Sequence, residues 1–246
     1  MTEQTLRTAL VTGASRGIGA AIAKRLAADG FNVVVNYSGS EQTASEVVAA
    51  IESAGGRAVA ARADVSDPQQ VARLFDESEA IFGIPSVLVN SAGVMQLAPL
   101  AESDDALFER TIDVNLKGSF LTMREASRRM ADGGRIVNLS TSVVGAKLPT
   151  YGVYSATKAA IEVMGDVLSK ELRGRNITVN AVAPGPTATD LFLDGKTDEQ
   201  IETLAKANPL ERLGQPEDIA STVSFLVGPE GGWINAQTLR ANGGMV

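Results

Sequence analysis

The chain has 246 residues, 44% of them hydrophobic and 21% charged, enough for one large α/β domain with its own core. It contains no cysteine and no histidine, which excludes disulfides, thiolate metal sites and imidazole acid–base chemistry, and argues against zinc-dependent catalysis. A formal net charge of -7 argues against nucleic acid or an anionic membrane surface as a partner held by the overall field.

The opening MTEQTLRTALVTG runs polar residues straight into a short apolar strand, without the basic segment, apolar run and cleavage site of a leader. No run of about 18 apolar residues follows, so the sequence predicts a cytoplasmic protein with no membrane span. Strands are predicted at 9–11, 32–36, 58–62, 87–90, 135–139 and 178–183, where β-branched residues cluster. Between them, apolar residues at helical spacing predict helices at 17–28, 40–54, 68–82, 104–130, 154–173 and 216–226. This alternation predicts a single-domain, doubly wound parallel sheet of about seven strands flanked by helices, a Rossmann fold over residues 1–246. The irregular stretch 184–215, with a short helix near 198–207, is the candidate substrate loop, about 186–213.

Directly after the first strand comes Thr12-Gly13-Ala14-Ser15-Arg16-Gly17-Ile18-Gly19, which opens the first helix. Glycines there allow a tight turn, and a pyrophosphate can then lie on free N–H groups at the positive helix end. A ribose 2′-hydroxyl is normally held by an acidic residue at the end of the second strand, whereas a 2′-phosphate calls for a basic one. That strand ends Asn36-Tyr37-Ser38-Gly39-Ser40 with no Asp or Glu, while Arg16 is within reach of a phosphate, so NADP is favoured over NAD. The alternative is an ordinary solvated loop arginine. Asp64-Val65 and Asn90-Ser91-Ala92-Gly93 fall at carboxyl strand ends, the edge where open α/β sheets bind ligands. Tyr154 and Lys158 lie at i and i+4, one face of a helix, a spacing that a surface pair also produces.

Taken together, these motifs resemble the short-chain dehydrogenase/reductase family from end to end: TGASRGIG, DV at Asp64-Val65, NSAG, the Asn115 of DVNLKG, a hydroxyl cluster at residues 140–142, YSATK and PGPTATD. The chain is most similar to the 3-oxoacyl-carrier-protein reductase-like and naphthol-reductase-like carbonyl reductases. The resemblance implies hydride transfer between NADP(H) and a ketone or alcohol, with Tyr154 exchanging the proton, Lys158 supplying a cation and holding the nicotinamide ribose, and Asn115 keeping a water in contact with the lysine. An unperturbed phenol titrates near 10, so a neighbouring cation is needed to favour phenolate. The substrate-orienting hydroxyl is assigned to Ser142, which precedes Val143-Val144-Gly145; a gapless count from Arg135 points instead to Thr141, and Ser140 is close by.

The cofactor set is thus Gly13, Ser15, Arg16, Gly17, Ile18, Gly19, Asn36, Tyr37, Ser38, Asp64, Val65, Asn90, Ala92, Gly93, Tyr154, Lys158, Pro184, Gly185, Thr187 and Thr189, with no metal. Val94, Met95, Val143, Val144, Pro186, Leu191 and Phe192 are the expected walls for a small carbonyl substrate. An acyl-carrier protein would need a basic patch, for which Arg124, Arg128 and Arg129 are candidates. Family resemblance implies a homotetramer. The competing function is a non-catalytic NADP(H)-binding sensor or scaffold.

Overall fold

The computed structural model describes residues 7–246; residues 1–6, where the sequence predicts no leader, lie outside the described residues. In chain order the strands are β1 (Thr8–Thr12), β2 (Asn32–Tyr37), β3 (Arg57–Arg62), β4 (Val87–Asn90), β5 (Arg135–Leu139), β6 (Thr178–Pro184) and β7 (Thr238–Ala241). They form one sheet in the order β3-β2-β1-β4-β5-β6-β7, and every pairing is parallel. β1, β2, β4 and β6 are buried along their whole length, so they read as continuous apolar or small-residue runs and not as alternating ones.

Helices α1 (Gly17–Ala28), α2 (Glu41–Ser53) and α10 (Pro216–Val227) cover one face, and α3 (Pro68–Phe82), α5 (Gly118–Arg129) and α7 (Gly152–Glu171) cover the other. The pleat divides β1 between them: Ala9 and Val11 pack towards α1, Leu10 towards α3 and α5. Each fully buried leucine or isoleucine, such as Leu10, Ile22, Leu74 and Ile136, contributes about 1.5–3 kcal/mol of burial. Asp67 accepts from the N–H groups of Gln69 and Gln70 to start α3, and Ser40 accepts from Thr43 N–H to start α2.

The predicted helix over 104–130 is divided. α4 (Asp105–Thr111) passes through a π-helical turn, Ile112–Lys117, before continuing as α5. Two short helices were not predicted, α6 (Val143–Ala146) and α8 (Asp190–Leu193), whereas α9 (Asp198–Lys206) is the short helix expected near 198–207. The chain leaves β1 towards β2 and β3, then crosses to β4 and continues to β7 on the other side. The change of direction opens a crevice between the carboxyl ends of β1 and β4, the place where such sheets bind ligands.

Candidate active site

A cleft of about 520 Å³ follows that crevice, from the β1–α1 turn past the ends of β2 and β3 to the start of α7. Its first wall is the glycine turn. Gly13 has φ +61°, and a Cβ there would lie 2.7 Å from the Ala92 Cα. Gly19 packs so closely that a Cβ would meet the Gly13 carbonyl oxygen at 2.3 Å. No side chain caps the N-terminus of α1 and no acid lies in its first turn, so its N–H groups face the cleft with their positive dipole unanswered. Arg16, exposed and without an ion-pair partner among the described residues, borders the cleft together with Ser38 and Ser40 at the start of α2. Such an arrangement can hold a diphosphate with a further phosphate beside it.

Of the residues expected to bind cofactor, Ser15, Gly17, Ile18, Tyr37, Asp64, Val65, Ala92, Gly93, Pro184, Gly185, Thr187 and Thr189 all line this cleft. Asn36 borders it too, but its side chain works on the frame. Its Oδ1 accepts from Gly13 N–H at 3.3 Å, and its Nδ2 donates to the Ala61 and Ala63 carbonyls at 3.2 and 3.1 Å. Asn90 stands behind the wall: its Nδ2 donates to Asn138 Oδ1 at 2.8 Å and its Oδ1 accepts from the Thr122 hydroxyl at 2.6 Å. Both amides stiffen strand ends that carry the site. Thr12 does the same for the second loop, its Oγ1 accepting from Ser91 and Ala92 N–H.

At the other end, Tyr154 and Lys158 project from the first turns of α7 into the same cleft. Lys158 is buried; its Nζ donates to the Leu139 carbonyl at 2.7 Å and lies 5.8 Å from the Tyr154 ring centre. Burial pulls the Lys158 ammonium down to about 8. Burial likewise pushes the Tyr154 phenol up to about 12, while the Thr141 side chain works in the opposite direction and Tyr151 adds a smaller upward push. Asn115 sits in the π turn, where its Oδ1 accepts from Val94 N–H at 2.8 Å and its Nδ2 donates to the Val94 carbonyl at 2.9 Å. A Cβ at Gly93 would stand 3.3 Å from Asn115 Oδ1 and 3.6 Å from Lys158 Nζ, so a side chain there would separate the two.

In the hydroxyl cluster, where the sequence favours Ser142 with Thr141 and Ser140 as alternatives, the three residues have different partners. Ser142 Oγ donates to the Ala183 carbonyl at 3.1 Å and accepts from Asn242 Nδ2 at 2.9 Å, which occupies its proton away from the phenol. Ser140 donates to the Glu162 carboxylate. Thr141 Oγ1 accepts from Val143 N–H at 3.3 Å and lines the cleft with Tyr154, where it works to lower the phenol. Of the three, Thr141 is the one whose hydroxyl proton has no acceptor among the described residues, and it lines the cleft with Tyr154.

Among the expected substrate walls, Val94, Met95, Val143, Pro186, Leu191 and Phe192 line the cleft, whereas Val144 does not. Sequence reading missed Leu148, Tyr151, Leu204 and Met245, which complete that end. Tyr151 lies just ahead of α7, one helical turn before Tyr154, a spacing that could have revealed it; Met245 carries no such signal. The three arginines proposed as a docking patch are paired: Arg124 and Arg128 with Glu125 at 3.7 and 3.3 Å, and Arg129 with Glu125 at 3.1 Å and Asp76 at 2.6 Å. Among the described residues no helix is long and apolar enough to cross a membrane.

A family model described as enoyl-(acyl carrier protein) reductase matches residues 13–246. A short-chain type dehydrogenase/reductase of Picea abies is 48% identical over 98% of this chain and 92% of its own length. An Arabidopsis thaliana protein described as NADPH-dependent aldehyde reductase 2, chloroplastic, is 46% identical over 97% of this chain and 93% of its own. Among solved structures, a short-chain dehydrogenase of Burkholderia cenocepacia J2315 in complex with NADP superposes with a TM-score of 0.92 at 38% identity, covering 99% of each chain.

Proposed function

The chain belongs to the short-chain dehydrogenase/reductase family, and on that premise we propose that it is an NADP(H)-dependent carbonyl reductase that uses Thr141, Tyr154 and Lys158. The observation that carries the proposal is the placement of Tyr154 and Lys158 on one face of α7, the Lys158 Nζ 5.8 Å from the Tyr154 ring centre, with Thr141 in the wall of the same cleft, which also receives the uncapped end of α1.

The residues fit the cofactor. The uncapped α1 terminus and the close glycines take the diphosphate, Arg16 with Ser38 and Ser40 takes the 2′-phosphate, Asp64 and Val65 border the base, and Lys158 with the segment from Pro184 to Thr189 faces the nicotinamide. When bound, NADPH supplies the hydride that reduces the substrate carbon. Everything else falls to the chain. Tyr154 presents its O–H to the carbonyl oxygen, and the Thr141 hydroxyl, in the wall of the same cleft, supplies a second donor to the charge developing there. Tyr154, held as the neutral phenol well above neutral pH, transfers its proton from Oη to that oxygen. Lys158, anchored on the Leu139 carbonyl, stabilises the resulting phenolate. Asn115 fixes the Val94 backbone, and its contact region at Gly93 opens beside the lysine, where a water can return the proton.

Met95, Val143, Leu148, Pro186, Leu191 and Phe192 make the substrate end apolar, suited to a hydrophobic ketone or aldehyde. Pairing of Arg124, Arg128 and Arg129 with acids favours a free carbonyl compound over one carried on an acyl-carrier protein. Residues 186–213 form the lid: its base is tied by Ala188 N–H to the Gly214 carbonyl and Gly214 N–H to the Pro186 carbonyl, both 2.8 Å, and Leu204 from α9 lines the cleft. A cytoplasmic homotetramer completes the proposal. Exposed Phe120 on α5 and Val163 and Val167 on α7 supply an apolar face for it. The test is NADPH-dependent reduction of a panel of hydrophobic aldehydes and ketones, in the native chain and in Tyr154→Phe.

A further inference from the structure

Three consecutive hydroxyls, Ser140, Thr141 and Ser142, leave the end of β5, and each has a different partner. Among the described residues Thr141 alone of the three leaves its proton uncommitted, in the wall of the cleft that Tyr154 also lines. Its two neighbours are fastened to distant parts of the chain: Ser140 to Glu162 on α7, the helix that carries Tyr154, and Ser142 to the Ala183 carbonyl of β6 and to Asn242, just beyond β7.

Asn242 is buried, and its amide is fully engaged. Nδ2 donates to Ser142 Oγ at 2.9 Å and towards the Val246 carbonyl at 3.4 Å, while Oδ1 accepts from Gly244 N–H at 3.0 Å. The turn it closes uses two glycines with positive φ, Gly243 at +66° and Gly244 at +87°, and places Met245 in the wall of the cleft. A Cβ on Gly185 would meet Asn242 at 2.9 Å, so the backbone of the β6 end and that of Asn242 are in direct contact. One amide therefore ties together the loop that carries Thr141, the end of β6 and the turn that carries Met245.

We infer that Asn242 is a positioning residue of the active site: by holding Ser142 it fixes the loop that places the neighbouring Thr141 in the cleft with Tyr154. It touches neither substrate nor cofactor in this role and acts through Thr141. Because Ser142 has one proton, spent on Ala183, it can be steadied from the other side only by a donor, which an asparagine supplies and an aspartate does not. The inference rests on the reductase reading for its kinetic consequence, though not for its structural one.

The experiment combines a structural and a kinetic readout in the full chain. With isotope-labelled tyrosine, the three tyrosines give three Cζ resonances, and the one lost in Tyr154→Phe is that of Tyr154. Asn242→Asp keeps the shape and the acceptor for Gly244, and Ser142→Ala removes the same link with little risk to folding. Both should move the Tyr154 resonance in the direction produced by Thr141→Val. Each should lower kcat by roughly 10- to 100-fold with little change in cofactor affinity, and neither should add to the loss in a Thr141→Val background. An unmoved Tyr154 resonance in Ser142→Ala, or losses that multiply with that of Thr141→Val, would overturn the inference. Should the native chain reduce no carbonyl, the reductase reading fails while the resonance still decides the role of Asn242.

Discussion

Three adjacent hydroxyls differ in partners that sequence spacing does not show: Glu162 holds Ser140 and Asn242 holds Ser142, residues close only in the fold, and Thr141 is left facing the cleft. Thr141→Val should therefore lower kcat by about 100-fold or more, the scale of losing one donor to a developing oxyanion, while cofactor binding persists. Lys158 allows a pH prediction with a definite sign. Burial lowers it from 10.5 to about 8, so between those values the unfolded chain holds a proton that the folded chain has released. Stability against urea should rise from pH 8 towards pH 10.5, and Lys158→Met should remove that rise. A flat profile in the native chain would contradict the depressed lysine. The glycines, Arg16 and the Tyr–Lys pair were legible because their chemistry is local. Asn36 and Asn90 were read as cofactor ligands; the fold also engages their side-chain amides with Gly13, the Ala61 and Ala63 carbonyls, Asn138 and Thr122, contacts that sequence spacing does not show.

At the scale of elements, strands and long helices follow from patterning alone. The π turn at Ile112–Lys117 does not, because residues 104–130 keep helical spacing throughout and the extra residue is accommodated by a tertiary contact, Asn115 with both backbone groups of Val94. Asn115→Ala would leave a buried N–H and C=O unpaired and should cost about 2–4 kcal/mol, measurable by chemical denaturation. Asn115→Asp, which retains an acceptor for Val94 N–H but sets an oxygen against the Val94 carbonyl, should be no better. A loss below about 0.5 kcal/mol for Asn115→Ala would show that the turn does not depend on this residue. The seventh strand was expected in number but not placed, since Thr238–Ala241 is short and lies at the sheet edge.

For the whole molecule, the sheet brings the phenol of Tyr154 and the ammonium of Lys158 to the same edge as an uncapped helix end. Light scattering should give a mass four times that of the chain if the exposed faces of α5 and α7 pair between copies; a monomer would leave Phe120, Val163 and Val167 without a partner. Cofactor choice is equally a property of the assembled cleft. Arg16→Ala should weaken NADPH by at least about tenfold while changing NADH little, as expected for one charge-assisted contact to a phosphate. The most direct measurement is the oxidation of NADPH by hydrophobic aldehydes and ketones, comparing the native chain with Tyr154→Phe. The account predicts turnover that falls about a thousandfold in the variant while NADPH still binds. Tight NADPH binding with no carbonyl reduced, or unchanged turnover in Tyr154→Phe, would contradict it.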